Sequence, residues 1–490
     1  MRSRPSPHPR AISLEINGWF CLRRDACVKN PDATLRMTAA PMSAPLAYWD
    51  PEDRAFWSRE GAGVARRNLA VSATALVLSF AVWMLWSVMV VQLPHAGFRF
   101  TTDQLFWLAA VPGLAGGTLR LLFAFLVPIF GGRAWTTIST LLLLVPCVGL
   151  GIAVQDPATG FPTFLLLALA AGIGGGNFAS SMANISFFYP ADRKGFALGV
   201  NAGVGNLGIP LAQLVLPLAV AVPLFGALAG SPQAFVDSGG TREVWLQNAG
   251  FVWVPAILLV ALLAWRRMDD VDAVRASLGD QAGVVLRRET WILAWLYLGT
   301  FGSYVGFAAG FPLVAETQFA GTNAMFYAFA GPLLAAVVRP LGGWLADRHG
   351  GALVAIGCFV AMAVAITALL LGSGAYGPFL AWFAVLFVAS GVGNGAVFQL
   401  IPAVFAGLHA AKHADPEAAA RAASIEAAAA LGLASGIAAF GGFFIPKAYG
   451  TAVATTGGTG AALVLFLVFY LSCIALTWWF RARAPQSRPA

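Results

Sequence analysis

Arg120 and Arg339 each stand deep within a long apolar run. An arginine at the centre of a bilayer costs about 2.5–3.5 kcal/mol even on lenient insertion scales, and its guanidinium cannot shed a proton to escape. Snorkelling relieves such a charge only near a helix end, and these two lie far from one. An ion pair would need carboxylates. The runs hold almost none: Asp103 and Glu426 fall at run ends, and Glu316 at the outer edge of another. What remains is an aqueous central cavity faced by two permanently cationic, planar groups. Parallel guanidinium N–H donors suit a small planar oxyanion gripped at two points.

Other chemistries lack their residues. A membrane enzyme would cluster His, Cys or Asp inside the runs, but His95, His349, His409 and His413 lie in loops and His8 near the N-terminus. Cys147, Cys358 and Cys473 lie singly in apolar segments, as small buried hydrophobes do. Cys21 and Cys27 have no second pair to complete a metal site. No metal or cofactor is expected, and no soluble signalling domain is present to make a sensor. On these grounds nitrate, nitrite, formate, bicarbonate or a small carboxylate would each satisfy the arginine pair.

The elements that must position the arginines are membrane helices. Hydrophobic residues make up 59% of the 490 and charged residues only 11%, against roughly a quarter charged in soluble domains; mean hydropathy is +0.75. Spans are expected near 69–93, 104–130, 134–154, 160–188, 196–225 and 247–265, then 290–315, 322–345, 352–373, 376–405, 425–446 and 456–480. Each is long enough for about 30 Å of hydrocarbon. The even count puts both chain ends on one side. The loops of that side carry Arg66, Arg67, Arg133, Arg193, Lys194, Arg266, Arg267, Arg275, Arg287, Arg288, Arg348, Lys412 and Arg421, whereas the opposite loops hold little beyond Arg99, Arg242 and Lys447. Both termini are therefore expected in the cytoplasm of a bacterial inner membrane. The net charge of +8 follows from this distribution, with no basic stripe for nucleic acid.

The chain repeats internally. Arg120 and Arg339 are 219 residues apart, and each is followed eleven residues later by a glycine pair, Gly131-Gly132 and Gly350-Gly351. The run from Gly172, with Gly174, Gly175 and Gly176, recurs at the same 219-residue offset as the run from Gly391, with Gly393 and Gly395. Two features sharing one offset indicate duplication. Glycines at this spacing are expected to let neighbouring helices approach, with backbone amides near the cavity as a second use. The domain plan is a disordered tail at 1–47, with Met37 and Met42 as alternative initiators, a six-helix half at 48–265, a cytoplasmic central loop at 266–289, a second half at 290–481 and a tail at 482–490. The fold class is all-α, a twelve-span membrane protein of two six-helix repeats.

The segment Gly342-Gly-Trp-Leu-Ala-Asp-Arg-His-Gly-Gly351 resembles the loop motif of the major facilitator superfamily, with Asp347 and Arg348 as its charged pair. The first half keeps only Phe130-Gly-Gly-Arg133, without the aspartate. Facilitators hold substrate at the midplane between parallel repeats. Gly174-Gly-Gly-Asn-Phe-Ala-Ser-Ser-Met-Ala-Asn-Ile-Ser-Phe-Phe-Tyr-Pro190 resembles the long signature of NarK-type nitrate/nitrite porters, and Gly391-Val-Gly-Asn-Gly-Ala-Val-Phe-Gln399 their second one. Similar stretches extend from Tyr48 to the last span. That resemblance implies nitrate and nitrite as cargo and puts Arg120 and Arg339 on the family's paired substrate arginines. It also implies substrate contacts from Tyr297, Phe301, Phe178 and Asn206.

Two unpaired charges should resist closing unless an anion is bound, which implies obligatory nitrate/nitrite exchange by alternating access, carried out by a single chain. Proton symport would need a titratable group near the site, and no Asp, Glu or His lies mid-span. Proton-coupled nitrate uptake and carriage of another small anion are the alternatives.

Overall fold

Caps, rather than hydropathy, decide where the helices end. Asp53 accepts a hydrogen bond from the Ala55 amide (2.8 Å), so the first helix begins well before its apolar stretch. Asp415 does the same for the Glu417 amide (3.0 Å), with Pro416 opening the helix. A computed structural model describes residues 46, 48–237, 240–271, 283–319, 324–372, 374–412 and 414–483. Among these, twelve helices are long and apolar enough to cross a membrane. Spans 1–6 are Arg54–His95, Thr102–Phe123, Gly132–Ala153, Phe161–Phe188, Ala191–Val220 and Asn248–Arg267; spans 7–12 are Arg288–Gln318, Met325–His349, Gly351–Leu370, Tyr376–Ala410, Pro416–Thr456 and Gly460–Arg481. The tail expected at 1–47, apart from Leu46 itself, and most of the final tail lie outside the described residues, as do Arg275, His8, His413, Cys21 and Cys27.

Each expected span coincides with a helix, and the ends carry the differences. Span 2 stops at Phe123 rather than near residue 130, which puts Arg120 in its last turn rather than far from a helix end, and a separate turn, Leu126–Phe130, leads to Gly131. Between spans 5 and 6 the chain forms an antiparallel hairpin of Gln233–Asp237 with Gly240–Val244, which no alternating pattern announced.

The repeat recurs in three dimensions. Gly131 has φ 84° and Gly350 has φ 85°, a left-handed backbone that glycine adopts without steric cost, and each opens the next span. A side chain on Gly172 would strike Ala115, and one on Gly176 would strike Leu119, both of span 2. One on Gly391 or Gly395 would strike the carbonyls of Ala335 or Arg339 in span 8. Spans 2 and 4 thus pack as closely as spans 8 and 10, with glycines at the crossing. A side chain on Gly174 would meet the Ser79 carbonyl of span 1, and one on Gly393 would meet Thr300 of span 7.

Among the described residues five helices are interrupted at mid-depth, one of them span 3 at Leu142–Leu143. Span 1 breaks at Met84, span 5 at Leu207 and span 11 at Phe440, while span 7 contains a π-helical turn, Leu298–Gly302. Such turns inside α-helices often mark functional positions.

Candidate functional site

Both arginines are buried, Arg120 at 1% exposure and Arg339 at 6%. Arg120 donates from Nε to the Gly175 carbonyl (2.8 Å) and from Nη1 to the Ser435 carbonyl of span 11 (3.0 Å). Among the described residues its Nη2 has no hydrogen-bond partner, and neither has Nη1 of Arg339. Four rings surround the Arg120 guanidinium: Phe178 at 4.5 Å, Phe301 at 5.0 Å, Trp83 at 5.2 Å and Phe80 at 5.6 Å. Aromatic faces attract a cation electrostatically, so the cage holds the charge without neutralising it. The Arg339 guanidinium lies 5.2 Å from the Phe398 ring.

Among the described residues neither arginine forms an ion pair. The acids at the span ends are engaged elsewhere. Asp103 holds Lys447 (2.6 Å), Glu426 holds Arg287 (2.6 Å) and His409 (3.1 Å), and Glu316 faces His95 (3.9 Å).

The sequence-predicted aromatic residues converge on the arginines. Phe80, Phe178, Phe301 and Tyr297 form a column of near-parallel rings with centroid separations of 6.0, 6.3 and 5.5 Å. Phe178 comes from span 4 and Phe301 from span 7, so their contact joins the two halves. Tyr297 is buried within electrostatic reach of both Arg339 and Arg120, and its hydroxyl lies beside the Arg339 guanidinium. Asn206 is also buried, with Oδ1 unpartnered, at the break of span 5. Arg120 Nη2 and Arg339 Nη1 are therefore donors without a hydrogen-bond partner among the described residues, and the Tyr297 hydroxyl lies beside Arg339 as a third donor. A buried charge left uncompensated is strongly unfavourable, and one small anion would satisfy all three. A flat anion between two rings needs about 3.5 Å to each, so Phe178 and Phe301 would part only slightly to admit one.

The glycine signatures serve this geometry through packing and through one carbonyl. A side chain on Gly175 would run into the Trp83 ring and Gly116, and the Gly175 carbonyl anchors Arg120. Asp347 and Arg348 end span 8 far from the site, both exposed, with Arg348 stacked on Trp344 at 4.1 Å. In the first half the missing aspartate is supplied from elsewhere. Asp270, just after span 6, meets Arg133 Nε at 3.3 Å and accepts from its backbone amide at 2.8 Å. Beside it, Asp269 binds Arg67 (2.6 Å) and Asn68 (2.8 Å).

Sequence reasoning missed Phe80, Trp83, Ser435 and Phe398. Trp83 is held by a hydrogen bond from Nε1 to the Pro112 carbonyl (2.7 Å), but an aromatic residue inside an apolar run carries no mark that separates it from core.

Contacts between the first and last six spans gather on the side opposite the chain ends. Lys447 reaches Asp103, Gly442 packs on Gly113, and Gln92 Nε2 reaches Met325 Sδ (3.4 Å). An ion pair therefore joins the halves on the far side and none among the described residues joins them on the side of the chain ends.

Twelve spans, a repeat folded into matching halves and a buried arginine from each half, both within electrostatic reach of Tyr297, define a membrane carrier of the facilitator type. A family model described as Major Facilitator Superfamily matches residues 71–425. The nitrate/nitrite transporter NarU of Salmonella typhimurium is 46% identical over 445 residues, covering 88% of this chain and 95% of that one. The probable nitrate/nitrite antiporter NarK2 of Thermus thermophilus is 40% identical, covering 91% and 98%. The crystal structure of a D-xylose-proton symporter matches with a TM-score of 0.60 at 18% identity, covering 85% of this chain and 98% of that one, which speaks for the fold alone. The chain belongs to the major facilitator superfamily and, within it, to the NarK-type nitrate/nitrite porters.

Proposed function

We propose that this protein exchanges nitrate for nitrite across the bacterial inner membrane, holding one anion at a time between Arg120 and Arg339. The observation that carries the reading is the pair of buried guanidiniums, each with an N–H group that has no hydrogen-bond partner among the described residues and neither paired with a described carboxylate. Arg120 Nη2 and Arg339 Nη1 grip the anion from opposite halves, with the Tyr297 hydroxyl as a neutral donor. Phe178 and Phe301 cover its flat faces, and the Asn206 side chain completes the site. Planar, singly charged oxyanions match this arrangement, and the relatives' names point to nitrate and nitrite.

The anion is the only negative charge the site receives. A loaded carrier can close around a compensated pocket, and an unloaded one must bury two bare charges. Reorientation therefore accompanies cargo in both directions, which is exchange. Rocking of one half against the other supplies alternating access. Both termini face the cytoplasm, because the arginine-rich loops share their side, and the far side, with its Lys447–Asp103 ion pair, then faces outward. One chain supplies the whole site and works as a monomer.

Proteoliposome counterflow tests this directly. Labelled external nitrate should enter vesicles preloaded with nitrite or nitrate, and should not enter vesicles loaded with chloride. Rapid net nitrate uptake into anion-free vesicles, driven by a pH gradient, would replace exchange with proton symport. Equal exchange of formate or acetate would broaden the cargo.

A further inference from the structure

In an α-helix the carbonyl of residue i accepts from the amide of residue i+4, and proline has no amide hydrogen. Pro210 in span 5 therefore leaves the Asn206 carbonyl without a helical donor, and Pro312 in span 7 does the same to Ala308. Both vacancies are filled from the opposite half. The Tyr304 hydroxyl of span 7 donates to the Asn206 carbonyl (3.1 Å), and Gln213 Nε2 of span 5 donates to the Ala308 carbonyl (2.7 Å). Each helix thus presents a vacated carbonyl and carries the donor for the other's.

Both donors are fully buried, and Gln213 also reaches Ser87 Oγ (3.2 Å). Tyr304 lies one turn beyond Phe301, with ring centroids 6.1 Å apart. The Gln213–Ala308 bond is further along both spans, away from the chain ends. The two bonds therefore stand between the arginines and the far side.

We propose that Tyr304 and Gln213 are positioning residues, whose reciprocal docking on proline-vacated carbonyls closes the anion site on the far side and fixes the backbone of Asn206. The part concerning Asn206 rests on its assignment to the anion site. A buried carbonyl without a donor is unfavourable, so spans 5 and 7 cannot part a little way. Both bonds break together, and water from the opening path must replace both donors. That makes closure an all-or-none step rather than a graded one.

Paired spin labels can read the closure. Leu228 and Leu371 lie on the far side of opposite halves, 96% and 84% exposed, and become the label sites as cysteines in a background with Cys21 and Cys27 changed to serine; the other three cysteines are buried. Tyr304→Phe and Gln213→Met remove the donors with little change of shape. Each should raise the open-to-closed ratio by about 3- to 10-fold, the effect of one net hydrogen bond, with a melting temperature close to that of the parent. In a Pro210→Ala background the new amide serves the Asn206 carbonyl, and adding Tyr304→Phe should then change the ratio by less than about 2-fold. Unchanged distances in both single variants would overturn the proposal. So would a full Tyr304→Phe effect that persists with Pro210→Ala. Failure of the parent protein to bind nitrate would overturn the cargo assignment instead, on which the label distances do not depend.

Discussion

The guanidinium carbon of Arg120 lies 4.5 Å from the centre of the Phe178 ring. That ring belongs to the helix whose Gly175 carbonyl accepts from the same arginine, so span 4 holds the charge by a face and by an edge. Phe178→Leu keeps the volume apolar but removes the face. A desolvated cation–π contact is worth up to about 2 kcal/mol, which corresponds to a loss of up to about 30-fold in nitrate affinity. Isothermal titration of purified protein would measure it, and an unchanged dissociation constant would rule out the ring as a holder of the arginine or of its cargo.

Arg120→Lys and Arg339→Lys test the fork itself. Lysine keeps the charge as a point and gives up the planar pair of donors. Loss of a hydrogen bond to a charged group costs about 1.5–3 kcal/mol, so each variant should bind nitrate about 10- to 150-fold more weakly. Exchange should fall in parallel, while helix content stays the same by circular dichroism. Retained tight binding in either variant would remove two-point recognition from the account.

Much of this was legible from the sequence, and the reasons are physical. A charge inside an apolar run is so unfavourable that it must be used, which made Arg120 and Arg339 readable. A shared offset of 219 residues made the repeat readable, and Gly131 and Gly350 bear it out with matching positive φ. The partner of Arg133 was not readable. Asp270 lies 137 residues away, and the local motif alone suggested that the first half simply lacked its acid. Proline-vacated carbonyls are visible as i, i+4 pairs, but nothing in the chain says which helix will supply the donor.

That displaced acid yields a contrast. Asp270→Asn weakens the contacts with Arg133 at a largely buried site, where hydrogen bonds to charged groups are worth about 1.5–3 kcal/mol. A fall of several degrees in melting temperature is expected, with nitrate affinity within about 2-fold of the parent because the arginine pocket is remote. Asp347→Asn alters the intact motif, yet that side chain is exposed and forms no ion pair among the described residues. Its melting temperature should not change measurably. The reverse order in differential scanning fluorimetry would show that Asp347, and not Asp270, stabilises its half.

The final prediction concerns pH. No Asp, Glu or His among the described residues contacts the Arg120–Arg339 pocket. The described carboxylates of spans 2 and 11 are tied up in ion pairs, Asp103 with Lys447 and Glu426 with Arg287 and His409. Guanidinium stays protonated throughout the physiological range, and nitrate stays an anion. Nitrate affinity should therefore vary by less than about 2-fold between pH 5.5 and 8.5. A histidine or a raised carboxyl coupled to binding would instead impose a slope approaching 10-fold per pH unit over part of that interval, one proton for each anion bound. Titration at several pH values separates the two. A slope of that size would identify a proton-carrying group in the transport step and turn the exchanger into a symporter.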